Sequence, residues 1–133
     1  MAKIKVKSQK EIDLIRSAGA IAAETLARAG EMCKPGVSTL EIDDFIGDFT
    51  LKNKAISACK GYHGYPRYAC ISINEVVCHG IPKKDTILKE GDIVNIDITS
   101  IYQGYHGDTS AMFCVGKVSP LAKELVETAK FCM

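Results

Sequence analysis

The sequence predicts an α+β fold, because two capped amphipathic helices come first and β-forming segments follow. Ser8 and Glu11 have the spacing of a capping box, and apolar residues then recur at helical spacing to about Met32. A second capping box, at Ser38 and Glu41, precedes a shorter amphipathic helix. The first third of the chain is therefore expected to be helical.

The rest of the chain is predicted to be a sheet followed by one more helix. Four segments lean toward β-structure and are separated by stretches that contain glycine or proline: residues 55–59, 68–73, 92–99 and 110–115. Ser119 followed by Pro120 is typical of an N-cap with proline at the first helical position. That helix, with a stripe of Leu121, Leu125 and Ala129, shows no stop signal before residue 133, so we expect the complete protein to continue.

Composition excludes several classes of partner. The 133 residues carry a formal net charge of +1, which gives no overall field to attract nucleic acid. Four lysines at positions 3, 5, 7 and 10 are interpreted as a solvated lead-in strand rather than as an arm that binds RNA. No apolar run approaches the ~18 residues needed to span a bilayer. We therefore expect a cytoplasmic protein with no membrane partner and no specific nucleic acid partner.

The six cysteines do not predict a disulfide framework. They include no C-x-x-C pair, and no secretory signal precedes them, so they are expected to be reduced thiols. A structural zinc knuckle is unsupported for the same reason.

Two aspartates provide the strongest chemical signal. Asp97 lies in an apolar β-forming run, where an unpaired acid costs free energy, and Asp108 follows eleven residues later. If residues 101–104 form a hairpin turn, a loop of four residues places the two carboxylates directly opposite each other, and a loop of two makes them diagonal neighbours. Both place them on one face, about 5 to 8 Å apart, whereas an odd loop places them on opposite faces. The pair predicts a divalent cation site.

The alternative for these aspartates is structural. Asp108 would cap a turn, and Asp97 would pair with a lysine or arginine. Two carboxylates are also too few for a complete site, since catalytic zinc typically has about three protein ligands.

A second group of candidate residues combines sulfur and aromatic rings. Glycines bend the chain around Tyr62, His63 and Tyr65, with Cys59 before them and Cys70 after them. A pocket wall made of these sulfur atoms and aromatic rings would suit an unbranched thioether, because sulfur makes favourable contacts with aromatic rings. The alternative is that the tyrosines only pack a loop.

A third candidate is His79, which precedes the permissive residue Gly80 and could donate a hydrogen bond to a reacting carbonyl or amide. A satisfied structural histidine is the alternative, and His106 is assigned to that class.

Taken together, residues 61–66, 70–82, 91–97 and 104–109 resemble type I methionine aminopeptidases, and the resemblance covers essentially the whole chain. It implies that residues 1–133 are the N-terminal half of a catalytic domain with the pita-bread fold. In that half, an antiparallel sheet carries helices on one face, and the metals bind between the two halves.

The resemblance also implies roles for individual residues. Asp97 would be a terminal ligand to one of two divalent metals (Co, Mn, Fe or Zn), and Asp108 would bridge both. His79 would hold the substrate and assist catalysis. The methionine side chain would be bound by Cys59, Tyr62, His63, Tyr65 and Cys70. The family's other ligands, a histidine and two glutamates, have no match here, so this chain alone is expected to bind metal weakly and not to turn over.

Two functions from different classes follow. The first is metal-dependent removal of the N-terminal methionine from nascent proteins, close to the ribosome, by the complete enzyme. The second is a non-catalytic, half-length interaction or regulatory module. Prolidase and aminopeptidase P are a third possibility, although they are not expected to keep residues 62–66 in this form. An exposed half-fold face would favour self-association.

Overall fold

The N-terminal segment differs from its prediction. The computed structural model describes residues 4–133, so Lys3 lies outside the described residues. Residues 4–8 form no strand, and Ile4 and Val6 are exposed. The prediction of a lead-in strand is therefore wrong for the part of it that the structure describes. Alternating lysines and aliphatic residues have strand periodicity, but the segment makes no strand pairing with the described chain.

The first two helices begin where the capping boxes predict. Helix α1 spans Gln9–Glu31 and helix α2 spans Thr39–Lys52. In both, the N-cap serine accepts a hydrogen bond from the N–H of the glutamate three residues later, and that glutamate's carboxylate accepts one from the serine N–H. Two otherwise unpaired backbone donors are thereby satisfied at each N-terminus.

The sheet is antiparallel and has β3 at its centre. Its strands are β1 (Ile56–Ser57), β2 (Cys70–Ile73), β3 (Ile93–Tyr102) and β4 (Tyr105–Cys114). β4 pairs with β3 along its whole length, while β2 and β1 pair with the two ends of β3 on its other side.

The strand boundaries differ most from the predictions in β1 and β4. β1 covers only two residues of the predicted segment 55–59, and β4 begins at Tyr105 rather than at residue 110. Residues 105–109 include glycine and polar side chains, which carry little intrinsic β signal. Pairing with β3 through a tight turn makes them a strand, and such pairing is not encoded locally.

The two faces of β3 have different neighbours. Val94, Ile96 and Ile98 are buried in the core with residues of α1 and α2. At Gly107 in β4, an added Cβ would lie 2.3 Å from the backbone of Ala18, so α1 crosses the sheet there in direct backbone contact. The other side chains of β3, among them Asp97, point to the opposite face.

Helix α3 spans Pro120–Phe131 and has Ser119 as its N-cap, as predicted. It lines a cavity of about 370 Å³ with Asn95, Ser110 and Met112, whose side chains share the face of Asp97. The helices on one face are thus α1 and α2, and α3 lies beside the other face. Leu121 and Leu125 of the predicted apolar stripe are exposed. Within residues 4–133, no helix combines the length and apolarity required to cross a membrane.

Candidate active site

The β3–β4 hairpin brings the two predicted aspartates to one face. Its loop has two residues, Gln103 and Gly104, with φ values of 49° and 83°. Positive φ at both positions is the mark of a type I′ turn, whose twist matches that of the strands. Asp97 lies opposite Ser110, and Thr99 lies opposite Asp108. The aspartates are therefore diagonal neighbours, as the two-residue alternative predicts, and the four-residue alternative is wrong.

The environment of Asp97 disfavours its charged form. Burial raises the pKa of its carboxyl, the charge of Asp108 raises it further, and the charge of His79 lowers it. No lysine or arginine within residues 4–133 forms an ion pair with Asp97 or Asp108. The structure therefore gives no support to the alternative in which a basic side chain neutralises Asp97.

These carboxylates fit part of a cation site. A partly desolvated carboxylate beside a second one is in the electrostatic state that a bound divalent cation relieves. Among the described residues, no group of three His, Cys, Asp or Glu side chains is placed to hold a metal ion. Asp97 and Asp108 could contribute oxygen ligands, and a metal site built on them would need further ligands.

Two cysteines, Cys59 and Cys70, lie near Asp97 on the sheet. Cys70, the first residue of β2, is the direct strand partner of Asp97. A hydrogen bond from the Cys59 thiol is the largest influence on Cys70 and lowers its pKa to about 6, against the opposing effects of burial and of the Asp97 charge. Donation to Cys70 correspondingly raises the pKa of Cys59. All six cysteines are free, in agreement with the prediction of reduced thiols.

The Tyr65 hydroxyl is near the same sulfur but points to the backbone. Its oxygen lies 3.0 Å from the carbonyl oxygen of Ala69 and 3.1 Å from that of Gly80. A hydroxyl has one proton to donate, and these two carbonyls share it. The contact of Tyr65 with Cys70 is thus secondary, although it also contributes to the low pKa of Cys70. Tyr65 ties the loop to the segment that carries His79.

The other two predicted pocket residues lie at the loop tip. Tyr62 and His63 form a 3₁₀ turn, and their rings pack edge to face with centroids 4.4 Å apart. Tyr62 is 69% exposed. Of the five predicted pocket residues, the structure thus brings together Cys59, Tyr65 and Cys70, and it places Tyr62 and His63 outside that cluster.

The charge of His79 lowers the pKa of both Asp97 and Cys70, so the three side chains share one electrostatic environment. Its φ of 55° is uncommon for a non-glycine residue and marks a backbone constrained by its surroundings. The next residue, Gly80, packs closely on β2, since an added Cβ there would lie 2.2 Å from the carbonyl oxygen of Ile71. Gly80 therefore allows the segment to dock on β2. His106 is exposed on the face of Asp108.

One buried polar residue near this cluster, Asp43 of α2, was not predicted from the sequence. It is fully buried, and it accepts hydrogen bonds from the N–H groups of Tyr68 and Ala69. The available signal was its position: Asp43 follows Ile42 and precedes Ile46 on the apolar side of an amphipathic helix, where a charged residue needs a partner.

The chain matches the model of metallopeptidase family M24 over residues 13–133. It is 53% identical over 126 residues to a methionine aminopeptidase of Buchnera aphidicola, with 94% of this chain and 48% of that protein covered. It is 53% identical over 123 residues to the methionine aminopeptidase of Escherichia coli K12, covering 92% of this chain and 47% of that protein. The chain spans about half the length of these curated relatives.

Solved structures agree with this match. A methionine aminopeptidase from Rickettsia prowazekii superposes with a TM-score of 0.91 at 46% identity, covering 94% of this chain and 50% of that one. A prolidase from Pyrococcus furiosus gives a TM-score of 0.76 at 22% identity, covering 92% and 34%, and shows the fold alone. The predicted pita-bread architecture is confirmed for the half that this chain covers. With the aspartate hairpin, the Cys–Tyr cluster and these matches, the chain belongs to metallopeptidase family M24.

Proposed function

We propose that the complete protein removes the N-terminal methionine from nascent proteins. The observation that supports this most strongly is the cluster of Cys59, Tyr65 and Cys70, in which Cys70 lies directly opposite Asp97 on the β2–β3 pair. A wall that suits a thioether side chain is thereby placed next to carboxylates that suit a cation. The relatives that match this region at 53% identity are methionine aminopeptidases. A protein that acts on this substrate would work in the cytoplasm, close to the ribosome.

Each side chain has a proposed part in this reaction. Cys59, Tyr65 and Cys70 hold the methionine side chain, and His79 donates a hydrogen bond to the substrate's peptide group. Asp97 and Asp108 hold divalent metal, of which Co, Mn, Fe and Zn are candidates. When bound, such ions supply an activated water and stabilise negative charge at the scissile carbonyl.

Tyr62 and His63 complete this assignment at the entrance to the pocket. Both stand on the exposed loop tip, three and two residues before Tyr65 of the cluster. We propose that they contact the substrate when it binds.

We further propose that the 133-residue chain alone binds metal weakly and does not turn over. Asp97 and Asp108 supply two ligands, fewer than the roughly three protein ligands of a typical catalytic zinc site. The remaining ligands must be provided by chain outside these residues or by a partner.

A hydrolysis assay with Met-Ala-Ser and Mn²⁺ or Co²⁺ tests this limit on activity. The expected result for the chain alone is no release of methionine. Release that disappears in Asp97→Asn would show that these residues suffice and would overturn the proposed inactivity.

Binding tests the pocket separately. Titration of the chain with L-methionine should move the amide NMR signals of Cys59, Tyr65 and Cys70, while L-proline should not. Absence of any methionine response would count against the methionine pocket. A response to Xaa-Pro peptides instead would favour a prolidase-like specificity.

A half-length interaction module is the second candidate, and the free edge of β4 favours it. β4 pairs only with β3 among the described strands. In a two-residue hairpin the N–H and C=O groups of Tyr105 point toward β3. These groups alternate in direction along a strand, so those of Asp108 and Ser110 point away from β3, to the edge of the sheet. An exposed strand edge is a template for pairing with a second copy, and exposed Leu121 and Leu125 of α3 add apolar surface.

Sedimentation equilibrium tests this self-association. The parent chain should show a reversible dimer, Ser110→Pro should be monomeric, and Leu125→Asp should still dimerise. Loss of the dimer in Leu125→Asp alone would assign association to α3, and a parent chain that remains monomeric would remove the module proposal.

A further inference from the structure

Asp43 is a buried carboxylate whose partners lie in the loop that builds the pocket. Both Tyr68 N and Ala69 N donate to the same oxygen, Oδ1, at 2.9 Å. The second oxygen, Oδ2, is buried and has no hydrogen-bond partner in the described chain. The carboxylate therefore reaches out of α2 to hold the backbone immediately before Cys70.

Burial is the largest influence on Asp43 and raises its pKa, while the two backbone donors and the charge of Arg67 lower it. An acidic side chain at a core position of an amphipathic helix lowers the stability of the fold unless its hydrogen bonds compensate for the lost hydration. At this position an aliphatic residue would serve packing alone. The two bonds to consecutive N–H groups are thus the specific contribution of an aspartate here.

A continuous set of hydrogen bonds connects Asp43 to the candidate site. Ala69, whose N–H is held by Asp43, accepts the Tyr65 hydroxyl with its carbonyl. The same hydroxyl contacts the carbonyl of Gly80, which also accepts the N–H of Ile71 at 2.9 Å. Gly80 directly follows His79. A shift of residues 68–69 would therefore move the pocket wall and the histidine segment together.

Helix α2 also fixes the Tyr68 ring by close packing. An added Cβ at Gly47, one turn after Asp43, would lie 2.6 Å from ring atoms of Tyr68. The ammonium group of Lys60 lies 3.7 Å from the centroid of the same ring. The packing of the Tyr68 ring on Gly47 is independent of the Asp43 hydrogen bonds, yet it fixes the position of the same residue, Tyr68. Asp43 and Gly47 thus form one seat on α2 for the start of β2.

We propose that Asp43 is a positioning residue that sets the shape of the pocket formed by Cys59, Tyr65 and Cys70, and thereby its preference for an unbranched side chain. The part that concerns methionine rests on the proposed function. The part that concerns pocket geometry does not, because it is defined by hydrogen bonds within this chain.

Thiol alkylation measures the geometry without any ligand. Cys70 and Cys33 are both buried, but Cys33 packs in the core beside α1 and reports global opening. In Asp43→Ala, iodoacetamide should modify Cys70 roughly tenfold faster than in the parent, while the rate at Cys33 stays unchanged. In the parent, local opening of the segment before Cys70 must break the two hydrogen bonds to the Asp43 carboxylate, and the variant lacks these bonds. Mass spectrometry of the digested protein gives both rates.

Two variants serve as controls. Asp43→Asn keeps an oxygen that accepts both N–H groups, so its Cys70 rate should stay near that of the parent. Thr50→Val changes another buried polar residue of α2, whose hydroxyl has no hydrogen-bond partner in the described structure, and should leave both rates unchanged. Equal acceleration at Cys33 and Cys70 in Asp43→Ala would overturn the proposal, as would an unchanged Cys70 rate or an Asn variant as fast as Ala.

Binding of L-methionine and L-leucine, followed by NMR, then tests the consequence. The parent should prefer methionine, and Asp43→Ala should bind the two with similar Kd. An unchanged preference in Asp43→Ala would overturn the specificity claim. A parent that binds neither amino acid would contradict the proposed methionine pocket, and the Cys70 rates would still decide whether Asp43 positions the loop.

Discussion

The two faces of β3 differ in burial and in the chemistry of their side chains. Val94, Ile96 and Ile98 are at most 1% exposed and pack in the core with residues of α1 and α2. Asp97, on the alternate face, is half-buried and carries a carboxyl whose pKa is raised. One strand therefore provides stability through one set of side chains and candidate chemistry through the other. Substitutions on the two faces should separate these properties.

The largest effect on stability is expected on the face of β3 that α1 and α2 cover; the opposite face, which carries Asp97, is called the open face. Ile96→Ala should cost about 2 to 5 kcal/mol of unfolding free energy, because it leaves a cavity in a close-packed core. Asn95→Ala, the neighbouring residue on the open face, should cost less than about 1 kcal/mol. Urea denaturation of the two variants measures the contrast, and equal losses would contradict the assignment of the faces.

A matched pair of glycines tests the contact of α1 with the sheet. Gly107→Ala should destabilise the protein by roughly 1 to 3 kcal/mol, since the added Cβ would lie 2.3 Å from the backbone of Ala18. Gly19→Ala meets nothing within 4 Å and should stabilise α1 by up to about 1 kcal/mol. Thermal unfolding shows both signs, and a stable Gly107→Ala would rule out the close crossing.

On the open face, removal of a charge should stabilise the metal-free chain. The pKa of Asp97 is raised by burial and by Asp108, so the folded state favours the protonated form. Stability is then lost as pH rises through the folded pKa, and Asp97→Asn should have a higher Tm than the parent at pH 7. The difference should shrink as the pH is lowered.

Asp92→Asn provides the control for this result. Asp92 accepts hydrogen bonds from Lys89 N and Asn74 Nδ2, so its replacement should lower the Tm instead. A lower Tm for Asp97→Asn would mean that Asp97 is stabilised by contacts that its pKa does not reflect.

The smallest effect is expected at the N-terminus of α1. Hydrogen bonds from the Ser8 backbone and hydroxyl lower the pKa of Glu11 from 4.5 to about 2. A depressed acid pKa stabilises the fold above the unfolded pKa, so this contribution should disappear as pH falls from about 4.5 to 2. The acid limb of stability should be shallower in Glu11→Gln than in Glu31→Gln. Identical limbs would show that the capping box contributes nothing measurable.

Local signals made part of this molecule predictable from its sequence. The capping boxes at Ser8 and Ser38 set both helix starts, because the cap and its glutamate are three residues apart in the chain. The hairpin narrowed the aspartate geometry to a few registers, because side chains alternate on a strand. In each case the interacting groups are near neighbours in sequence, or the spacing between them leaves few arrangements.

The unpredicted features depend on contacts between distant segments. Asp43 bonds to residues 25 and 26 positions further along the chain, and nothing near it in the sequence indicates those partners. Cys70 and Asp97 lie opposite each other because of the β2–β3 register, which is a tertiary property. The exposed positions of Leu121 and Leu125 could not be predicted either, since periodicity shows that a stripe is apolar without showing what covers it.

The proposed function requires that the open face of β3 and β4 binds a divalent cation through Asp97 and Asp108. Titration of the ¹⁵N-labelled chain with Mn²⁺ tests it most directly, because the paramagnetic ion broadens signals near its site. We expect broadening centred on residues 97 and 108 that is lost in Asp97→Asn and kept in Asp92→Asn. Broadening centred elsewhere, or unchanged in Asp97→Asn, would contradict it.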